Sequence, residues 1–121
     1  GVASSAAKGQ WAGVRFAAGS VATLEHVLAA WGGSGAFDYA GRYNAAILEG
    51  FSSDLALRHV AVHGSGLRGL YAEGASVALS DGEITANATY GIEYRGPDPN
   101  APLVVRDTSF SGNGAQAGWL H

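Results

Sequence analysis

Cysteine and methionine are both missing from this chain of 121 residues. Without cysteine there is no disulfide staple and no thiolate metal site. Basic residues are scarce: Lys and Arg total 7 against 10 acidic residues, for a net charge of −3. With no basic stripe to meet phosphates, neither nucleic acid nor an anionic membrane surface is an expected partner. No apolar run reaches the roughly 18 residues of a membrane-spanning helix, so membrane insertion is not expected. No targeting segment is visible. The chain opens on Gly1 rather than Met, which predicts a processed product or a section of a longer protein. Its length suits one domain, residues 1–121, with a single core.

Glycine, by contrast, is abundant at 19 residues. Small residues, little lysine and no cysteine together suggest a secreted bacterial protein, extracellular or at the cell surface.

The chain repeats itself. Four segments align without gaps: Ala22-x-Leu24-x-x-Val27-x-Ala29, Leu55-x-Leu57-x-x-Val60-x-Val62, Val77-x-Leu79-x-x-Gly82-x-Ile84 and Leu103-x-Val105-x-x-Thr108-x-Phe110. Each reads as two short strands of period 2, interrupted by a two-residue bend. Their spacings are 33, 22 and 26 residues. A further strand recurs at Gly13–Phe16, Ala46–Glu49, Gly69–Ala72, Gly91–Tyr94 and Gly118–His121, at spacings of 33, 23, 22 and 27. Two separate patterns thus share one uneven period. The expected fold is all-β: a right-handed parallel β-helix, or β-solenoid, of about four turns with three short strands per turn. Like residues would then form columns along the axis. Val14, Ile47, Leu70, Ile92 and Trp119 are expected in one inward column, and Leu24, Leu57, Leu79 and Val105 in another.

The second bend position is occupied by His26, His59, Asp81 and Asp107. Asp, Asn and His tolerate positive φ better than other non-glycine residues, as a sharp bend demands. Another column collects Gly32, Ser65, Asn87 and Asn113, where an Asn side chain closes turns and stacks its amide along the axis.

The run Trp11-Ala-Gly-Val-Arg-Phe16, then Ala22-Thr-Leu-Glu-His-Val27 and Trp31-Gly-Gly33, resembles the turn of secreted bacterial right-handed β-helix repeat proteins in the pectate-lyase-like superfamily. The resemblance covers nearly the whole chain. It implies a fold and not an activity, since that superfamily includes lyases, hydrolases and adhesins.

Two insertions interrupt the repeat. The first lies between Val27 and Ile47 and carries Trp31, Phe37, Tyr39, Arg42 and Tyr43; the second is Arg95–Pro102. Loops on a rigid scaffold are where function concentrates. The intervening strand is expected to display Arg15, Leu48, Tyr71 and Glu93 outward. In superfamily members that cleave polysaccharides, the corresponding face resembles the substrate groove, and aromatic rings stack on sugars. Arg15, Trp31, Phe37, Tyr39, Tyr43, Tyr71 and Glu93 are therefore the candidate substrate-binding residues. The competing reading is that the aromatic insertion folds back to cover the strands.

No catalytic or metal-binding residue is singled out, and no cofactor is implied. The His26–His59–Asp81–Asp107 column brings carboxylates together, but bend geometry already accounts for it, and a calcium site needs six or more oxygens. Glu49, Glu73 and Glu93 are the carboxylates near the strand, without a pair marked by spacing for glycoside hydrolysis. The hydrolase motifs Asn-Thr-Asp, Asp-Asp and Gly-His-Gly are absent, and Arg15 has no acidic cluster in its column. His63 and His121 read as turn or solvated histidines, and Asn87-Ala-Thr89 as a stacking asparagine rather than a glycosylation site.

Three functions compete. The first is a non-catalytic extracellular module for adhesion, scaffolding or glycan contact, with polysaccharide as the partner. The second is a fragment of a polysaccharide lyase or hydrolase whose catalytic turns lie elsewhere. The third is a unit that stacks end to end, since an open sheet edge templates pairing with further turns or further copies.

Overall fold

The computed structural model describes residues 14–33, 46–95 and 103–114, together with the backbone of 116–120. Among these, every regular element is a strand: β1 (Val14–Phe16), β2 (Val21–Ala30), β3 (Ala46–Phe51), β4 (Asp54–His63), β5 (Arg68–Glu73), β6 (Ser76–Ser80), β7 (Glu83–Thr85), β8 (Tyr90–Arg95), β9 (Leu103–Arg106), β10 (Ser109–Ser111) and β11 (Gln116–Leu120). All pairings are parallel. One sheet runs β1-β3-β5-β8-β11, and a second joins β2, β4, β6, β7, β9 and β10. Each strand pairs with its counterpart one repeat along the sequence, never with its sequence neighbour.

Register in the second sheet is the one anticipated. Leu24 pairs with Leu57, Leu57 with Leu79 and Leu79 with Val105. Ala29, Val62, Ile84 and Phe110 form the matching column beyond the bend. Leu55, Leu57, Val60, Val62, Val77, Leu79 and Ile84 are all buried and belong to one hydrophobic cluster. Each such side chain contributes roughly 1.5–3 kcal/mol on leaving water.

The bend also has the anticipated conformation. His26, His59, Asp81 and Asp107 lie at φ of 55, 51, 52 and 47°. Strands β2 and β4 run through this bend unbroken, whereas β6 and β7, and β9 and β10, are separated by it. Two further columns share positive φ: Gly19, Ser52 and Gly74, and then Trp31, Gly64, Ala86 and Gly112. Trp31, Ser52, Gly64 and Ala86 each donate their N–H to the carbonyl just before their counterpart in the next repeat, as in Ser52 to Glu73 at 2.9 Å and Gly64 to Thr85 at 3.1 Å.

The first sheet departs from expectation by one residue. Val14 pairs with Leu48, Leu48 with Leu70 and Leu70 with Ile92, which is followed by Gly118. Ile47 and Trp119 are therefore not members of this column, and Leu48 is not outward. Leu48 is 2% exposed and in the core, and the outward row is Arg15, Glu49, Tyr71 and Glu93. The cause is local. Ile47 and Leu48 are adjacent aliphatics, so alternation alone does not choose between them. Pairing Leu48 with Val14 places Glu49 directly beside Arg15, and that ion pair favours this register.

The asparagine column forms a buried ladder. Asn87 accepts from the Ser65 N–H at 3.0 Å through Oδ1. Asn113 Oδ1 accepts from Asn87 Nδ2 at 2.8 Å and from the Asn87 N–H at 3.2 Å. Asn113 Nδ2 donates to the Ile84 carbonyl at 3.1 Å. Asn87 and Ser65 have no exposed surface, so losing a partner strands a donor away from water. Asn87→Ala is expected to lower stability by about 2–3 kcal/mol, read as a fall in urea midpoint at unchanged m-value. Asn113→Ala, at a half-buried position, should cost less.

Candidate functional site

The outward face of the first sheet carries the concentration of charge and aromatic surface that a site requires. Its centre is two carboxylates. Glu49 on β3 and Glu93 on β8 both have no exposed surface, although side chains of this type are rarely buried unless paired. Arg15 donates Nε–H and Nη2–H to Glu49 Oε2 at 3.0 and 2.8 Å. Arg68 Nε donates to Glu93 Oε1, and Arg95 Nε to Glu93 Oε2 at 3.1 Å. Glu93 thus joins two arginines that come from adjacent strands.

Aromatic rings fill the space between these pairs. Tyr71 lies between Glu49 and Glu93 in the row. Its ring centroid is 5.8 Å from that of Phe51 at a 46° tilt. The Arg15 guanidinium sits 5.0 Å from the Phe51 centroid, and that of Arg68 5.9 Å from the Tyr71 centroid. Cations placed over ring faces are attracted by the ring quadrupole. The Tyr71 hydroxyl donates to Glu73 Oε2 at 3.2 Å. Burial, and next the negative charge of Glu73, push the Tyr71 phenol above its usual 10.0. The bond to Glu93 is the main cause holding Arg95 more firmly protonated than usual.

The candidate residues are distributed unevenly about this face. Arg15, Tyr71 and Glu93 lie together in it. Phe37, Tyr39 and Tyr43 lie outside the described residues. Trp31 is elsewhere, at the far end of β2, with φ of 65°, an unusual conformation for a bulky side chain. Its indole meets the His63 ring edge-on at 4.8 Å and lies over Gly64, where a Cβ would fall 2.4 Å from the indole. Trp31 therefore packs back on the next repeat. His63 closes β4 just before the turn at Gly64, half-buried, with its Nδ1 2.8 Å from Thr85 Oγ1.

Sequence reasoning did not single out Glu49, Phe51, Arg68 and Arg95 as members of this face. The signal for Glu49 was present: an acid 34 residues after Arg15 is one register step from the assigned pairing, and opposite charges across a parallel pair favour that step.

The bend column is less endowed. His26 and His59 stack with centroids 4.7 Å apart and planes 6° from parallel. Asp81 and Asp107 line a shallow, open depression with Glu83, Thr108 and Ser109. Among the described residues no group of three His, Asp or Glu side chains is placed to hold a metal ion.

No family model, curated protein or solved structure matches this chain.

Two measurements test these assignments. Gly64→Ala should destabilise by about 1–3 kcal/mol through φ strain and collision with the indole. The loss should be smaller in a Trp31→Ala background, giving a non-zero coupling in a double-mutant cycle. Because the folded state raises the Tyr71 pKa, stability is complete below 10.0 and declines as pH rises past it. Tyr71→Phe should flatten that alkaline decline in pH-dependent chemical denaturation, and an unchanged slope would remove Tyr71 as its source.

Proposed function

We propose that this chain is a section of a right-handed parallel β-helix that serves outside the cell or at its surface as a non-catalytic, glycan-contacting module. The β-helix reading is supported by parallel pairing at one repeat's distance throughout both sheets and by three positive-φ columns that turn the chain at the same places in successive repeats. Such stacking of supersecondary units is how solenoids build a core.

One observation carries the functional reading: Tyr71 and Phe51 sit in a tilted pair among arginines whose positions are set by two buried carboxylates. Saccharides offer apolar ring faces rimmed with hydroxyls. Aromatic rings meet the former, and fixed guanidinium forks donate to the latter. Holding the arginines in place beforehand reduces the ordering cost of binding.

The same carboxylates argue against hydrolysis. Glu49 and Glu93 face the same way two strands apart, but each is sealed from solvent and engaged by arginine. General-acid work requires a carboxyl that reaches the leaving oxygen. These two act instead as anchors.

The test is binding of the fluorescently labelled chain to an array of bacterial and plant polysaccharides. A subset should bind, and Tyr71→Ala should weaken that binding about tenfold, equivalent to ~1.4 kcal/mol. Glu83→Ala, on the other sheet, should leave it unchanged. An array without any bound glycan would overturn the reading, as would undiminished binding by Tyr71→Ala.

A further inference from the structure

The charges at the outward face of the first sheet are balanced. Among the described residues, Arg15, Arg68 and Arg95 stand there with Glu49, Glu73 and Glu93. All other charged side chains of the described residues lie on the second sheet or at its bends. Opposite signs are also neighbours in space. Arg15 pairs with Glu49, and Glu93 receives both Arg68 and Arg95. Glu73 is the register partner of Arg95 and accepts the Tyr71 hydroxyl at 3.2 Å. We propose that this balance selects uncharged saccharides: the face takes a neutral glycan and rejects one that carries carboxylate or sulfate groups. This deepens the glycan reading and rests on it.

Three physical points carry the selection. The first is competition. An anionic sugar gains at this face only by drawing on an arginine that a carboxylate already holds. Glu49 and Glu93 have no exposed surface, so water cannot take the place of a guanidinium that turns away. A buried carboxylate stripped of its partner is strongly destabilised. The second is repulsion. Glu73 is half-buried and holds its carboxylate at the Tyr71 hydroxyl, so an anion stacked on that ring meets like charge. Built-in repulsion of the wrong ligand is a recurrent source of specificity.

The third is what a neutral hydroxyl can still obtain. A guanidinium is a fork with several N–H donors, and the bonds to Glu93 use the Nε of Arg68 and of Arg95. A sugar hydroxyl accepts from the other N–H groups without displacing the carboxylate. The rings of Phe51 and Tyr71 meet apolar sugar faces that neutral and acidic saccharides share. Charge is therefore what separates the two classes here.

The experiment compares polymers that differ in charge alone. Soluble galactan, glucan and mannan are each presented beside a C6-oxidised form, in which the hydroxymethyl group has become a carboxylate. Binding of the labelled chain is measured at about 0.15 M salt, where charges more than ~8 Å from the ligand are largely screened. At least one neutral polymer should bind, and its oxidised form should bind at least about fivefold more weakly. Glu73→Gln leaves one positive charge in excess, while the new amide oxygen still accepts from the Tyr71 hydroxyl. This variant should shrink the preference at least about threefold. Arg95→Gln leaves one negative charge in excess and should widen it. Glu83→Gln makes the same charge change as Glu73→Gln on the second sheet and should leave the preference as it is.

Oxidised polymers that bind as tightly as their parents, or more so, would overturn the charge selection and leave glycan binding intact. So would a preference that neither Glu73→Gln nor Arg95→Gln moves, or one that Glu83→Gln shifts as far. Failure of every polymer to bind, neutral and oxidised, would instead remove the glycan reading itself and the selection with it. Far-UV circular dichroism checks that the strands persist, and either face variant suffices where the other does not fold.

Discussion

Parallel pairing of every strand with its counterpart one repeat later is the constraint on which the rest of this structure depends. It forces residues of the same type into columns, so that one choice of side chain is made several times over. Where the choice is aliphatic, the column becomes core, as with Leu57 and Leu79. Where the backbone must turn, the column becomes a set of residues that tolerate positive φ, as with His59, Asp81 and Asp107. Where a buried donor needs a partner, the column becomes a ladder, as with Ser65, Asn87 and Asn113. Parallel strands need crossover connections, and here the next sheet in the repeat provides them.

The same constraint explains why ionisable groups are buried on an outward sheet face. Neighbouring strands lie about 4.8 Å apart, so a long arginine on one reaches a carboxylate on the next. Arg15 with Glu49, and Arg68 with Glu93, are pairs of this kind, and Arg95 joins Glu93 from two positions along the same strand. Burial of a charge is costly unless it is paired and hydrogen-bonded, and these carboxylates meet both conditions. Their effect is positional: they hold guanidinium groups around Phe51 and Tyr71. The charged groups of this surface are thereby committed to one another.

Much of the second sheet was legible in the sequence. The pairs Leu24–Leu57, Leu57–Leu79 and Leu79–Val105 followed from apolar spacing, and the bend and asparagine columns from the few residue types that such positions accept. The first sheet was legible in outline and shifted in detail. Ile47 and Leu48 are both fully or nearly buried, and a strand covered on both faces carries no alternation from which to choose a register. Trp31 is a different case. Its aromatic, glycine-flanked setting suggested a ligand-facing loop, whereas its ring lies over Gly64 and beside His63. The glycine at position 64 admits that ring, and only contact across repeats makes this visible.

From its sequence alone, then, this protein is all-β, repetitive at an uneven period, turned at defined residues and without thiol chemistry, because each of those properties rests on local spacing or residue type. Tertiary structure decided which of two adjacent aliphatics pairs with Val14 and Leu70, that Glu49 and Glu93 are sealed rather than displayed, and that Trp31 packs on Gly64 and His63 of the next repeat. The physical reason is the same in all three cases. Burial of a side chain on a sheet is set by the residues of neighbouring strands, which are 22 to 34 positions away in the chain, and no local pattern contains them.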